Sequence, residues 1–361
     1  MQKESIFKGL TVLELASALA GPSVGMFFAE LGARVIKVEN KTTDGDVTRR
    51  WRHPKESTET PLSTYYHCVN WKKEVLMLDL SQEADRNRVY ALVKEADVVV
   101  SNFKFGSAVK LGVDYDTLSK INDKIVHGSI YAYDEDDSRP GFDAVLQAET
   151  GWMSMNGYPD GLPTKVPLPI IDILAGHQLK EGILVALLQK EKTGKGCHVS
   201  ASLYDSSVSA MTNQASTYLN LGIVPQRIGS QHPSIAPYGD VVSTSDGVAY
   251  LLGVGTQDHF NSLCDALDVV ELETDPRFLS NQLRLENRAI LVSKLRDAAS
   301  GMTAAVFESR CNQHGVPLGP IRNLAQVFAE ADGQEMILEE QHEDGSVSKR
   351  VKTCVFKILG D

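Results

Sequence analysis

The sequence has 361 residues, 42% hydrophobic and 23% charged, the proportions of an ordinary globular chain with room for two domains and a sizeable core. Its formal charge of −11 argues against nucleic acid or an anionic membrane surface as partner. The opening MQKESIFKGL is too polar for a secretory signal, and each apolar run is interrupted by Gly, Lys, Asp or Glu before membrane-spanning length, so a cytoplasmic location is expected.

The first 140 residues alternate strand and helix signals. Leu10 to Leu15 is a short apolar run, followed by Ala20-Gly21-Pro22, with Pro22 suited to the first helical position. A helix through Met26, Phe28 and Leu31 is expected to stop at Gly32, and 33–39 (ARVIKVE) to resume as a strand. Strand, helix, strand within so short a span is a βαβ unit with parallel pairing. The alternation repeats: strands at 75–80, 97–103 and 124–133, helices at 82–95 and 116–121. A doubly wound, mostly parallel, Rossmann-like sheet follows, whose ligands lie beyond the carboxyl ends of its strands.

Residues 171–191 carry the strongest helical pattern, closed by the turn cluster Thr193-Gly194-Lys195-Gly196, and 198–203 alternates as a half-buried strand. After Leu221 the texture changes. A hairpin is expected over 241–254 around Ser245-Asp246-Gly247, with helices at 256–267, 281–299 and 303–313 and a second hairpin at Glu343-Asp344-Gly345. The expected organisation is a large α/β domain over 1–205 with a return of 326–361, a linker at 206–224, and a smaller α+β domain at 225–325.

Cys68, Cys197, Cys264, Cys311 and Cys354 fall in no CxxC spacing, so reduced thiols are expected rather than a disulfide framework or a metal site. The motifs GxGxxG, GxxxxGK[ST] and HExxH are absent, which leaves nicotinamide, nucleotide-triphosphate and zinc-protease chemistry unsupported.

Asp172 stands in KVPLPIIDILAG, an acid inside an apolar run at a helix start. It reads either as an N-cap or as a carboxylate held in a dry pocket, where it would be a nucleophile toward an activated acyl carbon. Helix-end amides would favour its ionised form, and burial the neutral one. Arg49, Arg50, Arg52, Lys72, Lys73, Lys104 and Lys110 are candidate phosphate partners or plain surface charges. Gly229-Ser230-Gln231-His232 reads as a mobile lid or as an inter-domain connection.

Several segments together resemble the family III CoA-transferases, which include formyl-CoA transferase and related acyl-CoA racemases. They are LELASALAGPSVGMFFAELGARVIKVE, NWKKEVLMLDL, ADVVVSNFKFGSAVKLGVDYDTL, RPGFDAVLQAETGWMSMNG, VPLPIIDILAGHQLKEGILVALLQKEKTGKGCHVSASLYDS, GSQHPSIAPYG and DPRFLSNQLRLENR. The resemblance runs from Leu10 to about Leu338. It implies an enzyme with Asp172 as nucleophile, working on acyl-CoA and a carboxylic acid with no tightly bound cofactor, in an interlocked homodimer. It implies CoA contacts at Leu19, Ala20, Leu78, Asn102 and Phe103, and at Lys110, where a basic residue is retained. Other basic family positions fall on Asn40 and Tyr131. The family's glycine-run lid is reduced here to Gly229, and the chain stops at Gly360-Asp361, short of a C-terminal helix that most relatives carry. A racemase on the same fold needs a histidine where Phe142 stands, and phenylalanine moves no proton. A CoA-binding protein without turnover is the remaining alternative.

Overall fold

The structure, a computed structural model, describes residues 6–57, 60, 62–342 and 345–358. The chain forms two compact units, one from residues up to 152, 165–223 and 334 onward, the other from 153–164 and 224–333.

The first unit is built on strands β1 (Thr11–Leu15), β2 (Arg34–Asn40), β3 (Glu74–Leu78), β4 (Val98–Ser101), β5 (Val126–Tyr131) and β6 (Cys197–Ser202). They lie side by side in the order β3-β2-β1-β4-β5-β6, every neighbouring pair parallel. Parallel strands need crossovers, and crossovers put helices on both faces, so the central strands bury apolar residues on both sides. Val12, Val98, Val100 and Val126 pack toward the helices Ala20–Glu30 and Ile170–Thr193. Leu13, Ile36 and Val99 pack on the opposite face with Val89 and Val93 of the helix Glu83–Val93. The strand order reverses between β1 and β4, which opens a crevice at their carboxyl ends.

The first helix starts at Ala20, two residues before the expected Pro22. As third helical residue Pro22 still breaks no ladder bond, because the first turn's N–H groups have no intrahelical acceptor. It ends as expected at Gly32, whose φ of +93° lets Gly32 N–H reach Ala29 O and Ala33 N–H reach Phe28 O, a Schellman closure.

In the second unit β7 (Tyr238–Ser243), β8 (Ala249–Gly253) and β9 (Leu318–Pro320) form an antiparallel sheet in the order β7-β8-β9. The helices Gln257–Leu267, Arg288–Ser300 and Ala304–Gln313 bury Phe260, Leu263, Leu291, Leu295 and Phe307 against Tyr250 and Leu252. The helix expected over 281–299 is two, broken at Asn287.

Three expectations on organisation differ from the structure. Residues 206–224 are not a linker: the helices Leu203–Ser209 and Thr212–Leu221 belong to the first unit. Residues 153–164, expected in the large domain, belong to the second unit, where Gly229 N–H donates to Gly157 O at 2.9 Å. The return to the first unit comes at 334 rather than 326. There β10 (Ile337–Gln341) and β11 (Val347–Val351) pair antiparallel; Glu343 and Asp344, where a turn is expected, lie outside the described residues.

Candidate active site

Asp172 is the third residue of the helix Ile170–Thr193, whose N-cap is Pro169 and carries no side-chain cap. The N-cap reading of Asp172 is therefore corrected. The capping work is done from outside by Asp143, which opens the helix Asp143–Glu149 and accepts the Ile171 N–H at 2.7 Å. The other Asp143 oxygen takes Gln147 Nε2 at 2.7 Å, and Gln147 Oε1 takes the Val166 N–H at 2.8 Å, so the strand-like approach to the long helix is pinned to the helix beside it.

Relieved of capping, the Asp172 carboxyl has no hydrogen bond or ion pair among the described residues. It is half-buried, and burial, then the neighbouring Asp143 charge, push its pKa up to about 7. Desolvation thus wins over the helix-end amides. Tyr65 stands in the same environment: burial, Cys68 and the charges of Asp172, Asp143 and Asp46 push its phenol up to about 12. Tyr65 packs in one apolar cluster with Ile173, the residue after Asp172.

A cleft of about 760 Å³ opens at the carboxyl ends of β1 to β4, the size range of a small-molecule site. Leu15, Asn40 and Leu78 end three of those strands, and Asn102 and Phe103 follow the fourth. Of the residues expected to contact CoA, Leu78, Asn102 and Phe103 line this cleft, as does Asn40. Leu19 and Ala20 are buried at the start of the first helix, Lys110 is exposed on the short helix Ser107–Leu111, and Tyr131 ends β5; none of these lines the cleft. Asp172 does not line it either.

The structure sorts the basic candidates. Arg49 is bound to Glu39 through Nε at 2.6 Å and Nη2 at 3.0 Å, Lys73 is buried on Glu14, Arg52 holds Ser57 and Thr60, and Lys72 lies over the Trp71 ring. Only Arg50 and Lys104 of the seven line the cleft. Arg50 donates to Thr43 O, and Lys104 is exposed. Among the described residues, no group of three or more His, Cys, Asp or Glu is placed to hold a metal ion, and no helix is long and apolar enough to cross a membrane.

A profile described as CoA-transferase family III matches residues 7–359. The chain belongs to this family. It is 34% identical over 356 residues to a succinate–glutarate CoA-transferase of Agrobacterium fabrum, covering 96% of this chain and 88% of the relative. It is 35% identical over 324 residues to an acetyl-CoA:oxalate CoA-transferase of Acetobacter aceti, covering 89% and 82%. A solved CaiB/BaiF family protein from Brucella suis superposes with a TM-score of 0.85 at 35% identity, over 98% of this chain and 93% of the other.

In this CoA-transferase the Gly229–His232 segment sits within the second unit and is tied down at each residue. Gly229, at φ +67°, packs where a Cβ would meet Tyr158, and Ser230 Oγ donates to Gly239 O at 2.6 Å. Gln231 Nε2 donates to Asp240 Oδ1 at 3.0 Å, and His232 O accepts from Arg288 Nη1 at 2.7 Å. Sequence reasoning missed Asp143 as a neighbour of Asp172. The only signal was an acid beginning an apolar helical pattern, which by itself means a first-turn charge.

Proposed function

We propose that this family III CoA-transferase moves CoA between carboxylic acids with Asp172 as the attacking carboxylate. The observation that carries the reading is the Asp172 carboxyl itself: half-buried at a helix start, without a bonding partner among the described residues, and poised near pH 7. An ionised Asp172 oxygen attacks the donor thioester carbonyl; the C–S bond breaks, giving a mixed anhydride and CoA thiolate. The thiolate attacks the Asp172 carbonyl, leaving an aspartyl-CoA thioester and free donor acid. The acceptor carboxylate attacks that thioester, forming a second anhydride and thiolate. Thiolate attack on the acceptor carbonyl gives the new acyl-CoA and regenerates Asp172. Each step exchanges one activated acyl bond for another, provided water is kept out.

The cleft is the proposed seat of CoA, with Arg50 and Lys104 as the cations nearest its phosphates. The racemase alternative lacks support at Phe142, which is 63% exposed and has no proton to give. The relatives' names point to dicarboxylic acids such as succinate, glutarate and oxalate, and these head the acceptor panel.

The test is mass spectrometry of the intact protein after mixing with acyl-CoA donors. The parent chain should gain a CoA adduct at Asp172 that hydroxylamine removes, and Asp172→Ala should gain none and lose exchange. Exchange at the parent's rate in Asp172→Ala sinks the assignment.

A further inference from the structure

The loop that joins β1 to the first helix, Ala16–Leu19, is held by buried charges that the proposed chemistry does not use. Ala18 has φ +66°, a left-handed conformation that a residue with a Cβ adopts only when its surroundings over-determine it. The surroundings do so. Ala18 N–H donates to both oxygens of Asp46, at 3.3 and 3.2 Å. Ser17 is clasped through both backbone groups by the Asn102 amide, N–H to Oδ1 at 2.9 Å and carbonyl from Nδ2 at 2.8 Å. Ala16 O accepts from Lys37 Nζ at 2.8 Å, and Pro22 O from Lys73 Nζ at 2.9 Å.

The charged members form one closed set. Glu14 stands opposite Lys37 across β1 and β2 and bridges Lys37 Nζ at 2.9 Å to Lys73 Nζ at 2.7 Å; Lys37 also pairs with Asp46 at 3.0 Å. The side chains of Glu14, Lys37 and Asp46 are 0% exposed and that of Lys73 is 1% exposed. Asp46 is itself fixed by Thr48 and, through its own N–H, by Glu39. Two lysines and two carboxylates cancel in charge, yet desolvating them is costly, and an apolar set of the same volume would stabilise the fold at least as well. What the ions supply that methyl groups would not is hydrogen bonds to this loop and to the first turn of the helix that follows it.

That loop lies where the chemistry needs precision. Ala16, Ser17 and Asn102 line the cleft. Leu19 packs in one apolar cluster with Ile173 and Tyr65, beside Asp172. Gly176, one turn after Asp172 on the same helical stripe, comes close enough to Ala20 and Ser23 that a Cβ would meet Ala20 O at 3.1 Å.

We propose that Asp46, with Lys37, Glu14 and Lys73, is a positioning device that holds the left-handed bend at Ala18 and thereby keeps the loop shaped to receive CoA. The inference rests on the cleft being the CoA seat. The residues touch no reacting atom in this role; they act through the loop backbone.

The experiment uses the full chain with Asp46→Asn, which keeps shape and one acceptor, Asp46→Ala, and Asp46→Ala combined with Ala18→Gly, since glycine adopts φ near +66° without strain. Three quantities are read: hydrogen exchange of the Ser17–Ala20 amides, CoA affinity by calorimetry, and kcat/KM. Asp46→Asn should speed exchange in those amides and weaken CoA about tenfold, the scale of one released backbone strain. Ala18→Gly should recover part of the loss in Asp46→Ala, which restored packing or charge would not explain. Unchanged CoA affinity in Asp46→Asn overturns the proposal, as does faster loop exchange with CoA affinity and kcat/KM intact. Asp172→Asn separates the two readings: it should remove turnover and leave loop exchange and CoA affinity as in the parent. An Asp172→Asn chain with full turnover sinks the nucleophile and leaves the loop device to be judged on CoA affinity alone.

Discussion

The proposed chemistry requires Asp172 as an anion, in a place that favours its acid form. Burial, and then the Asp143 charge, hold its pKa at about 7. With that carboxylate as the proposed nucleophile, kcat/KM should rise about tenfold per pH unit below pH ~7 and level off above it. Asp143→Asn, which removes the like charge and keeps the Ile171 N–H acceptor, should move the midpoint toward lower pH. The same group sets a stability trend. Its folded pKa lies above the unfolded carboxylate value, so the folded chain holds a proton that the unfolded chain releases from about pH 4 upward. Asp172's contribution is fully present below about pH 4 and is lost as pH rises through about 7. Asp172→Asn, neutral throughout, should therefore melt a few degrees above the parent at pH 8 and alike at pH 4. A flat pH–rate profile from about pH 5 to 8, or a melting difference equal at both pH values, contradicts the assignment.

The long helix Ile170–Thr193 places Asp172, and its crossing with the first helix is set by Gly176. A Cβ there would meet Ser23 Oγ at 2.3 Å and Ala20 O at 3.1 Å. Gly176→Ala should lower Tm by roughly 1–3 °C through overpacking of about 1–2 kcal/mol, and Ser23→Ala in the same chain should return part of it. Additive losses in the double variant would show that the two residues do not share the contact. Most elements were legible because short apolar runs are punctuated by glycine: Gly32 and Gly194, at φ +93° and +71°, end helices where the sequence places their ends. Of the candidate site the sequence offered Asp172 but not its surroundings. Glu14 in LEL and Lys37 in VIKVE read as the polar half of an alternating strand, yet both are fully buried because β1 and β2 are covered on both faces and the two ions face each other. Periodicity gives the alternation, not which partner strand supplies the counter-charge. The same gap hid Asp143 from Asp172 and the 153–164 excursion from the second unit, since each depends on contacts between segments far apart in sequence.

At the scale of the whole molecule, an apolar surface in the first unit is left without cover. Tyr218, Leu219 and Leu221 of the helix Thr212–Leu221, and Ile223 just after it, are 52%, 78%, 68% and 55% exposed. Isolated exposed leucines are ordinary, whereas a run on one helix and its exit is the kind of surface on which chains associate. The resemblance to family III CoA-transferases implies an interlocked homodimer, and we propose a second copy of this chain as the occupant. Light scattering behind size exclusion should give twice the chain mass at micromolar concentration, and Tm should rise with protein concentration, since a folded dimer in equilibrium with unfolded chains is stabilised by mass action. Leu219→Glu combined with Leu221→Glu places two charges in the contact and should shift the mass toward one chain. A parent chain that elutes at single-chain mass at every concentration, with a constant Tm, would leave that helix as bare surface and remove the dimer from the account.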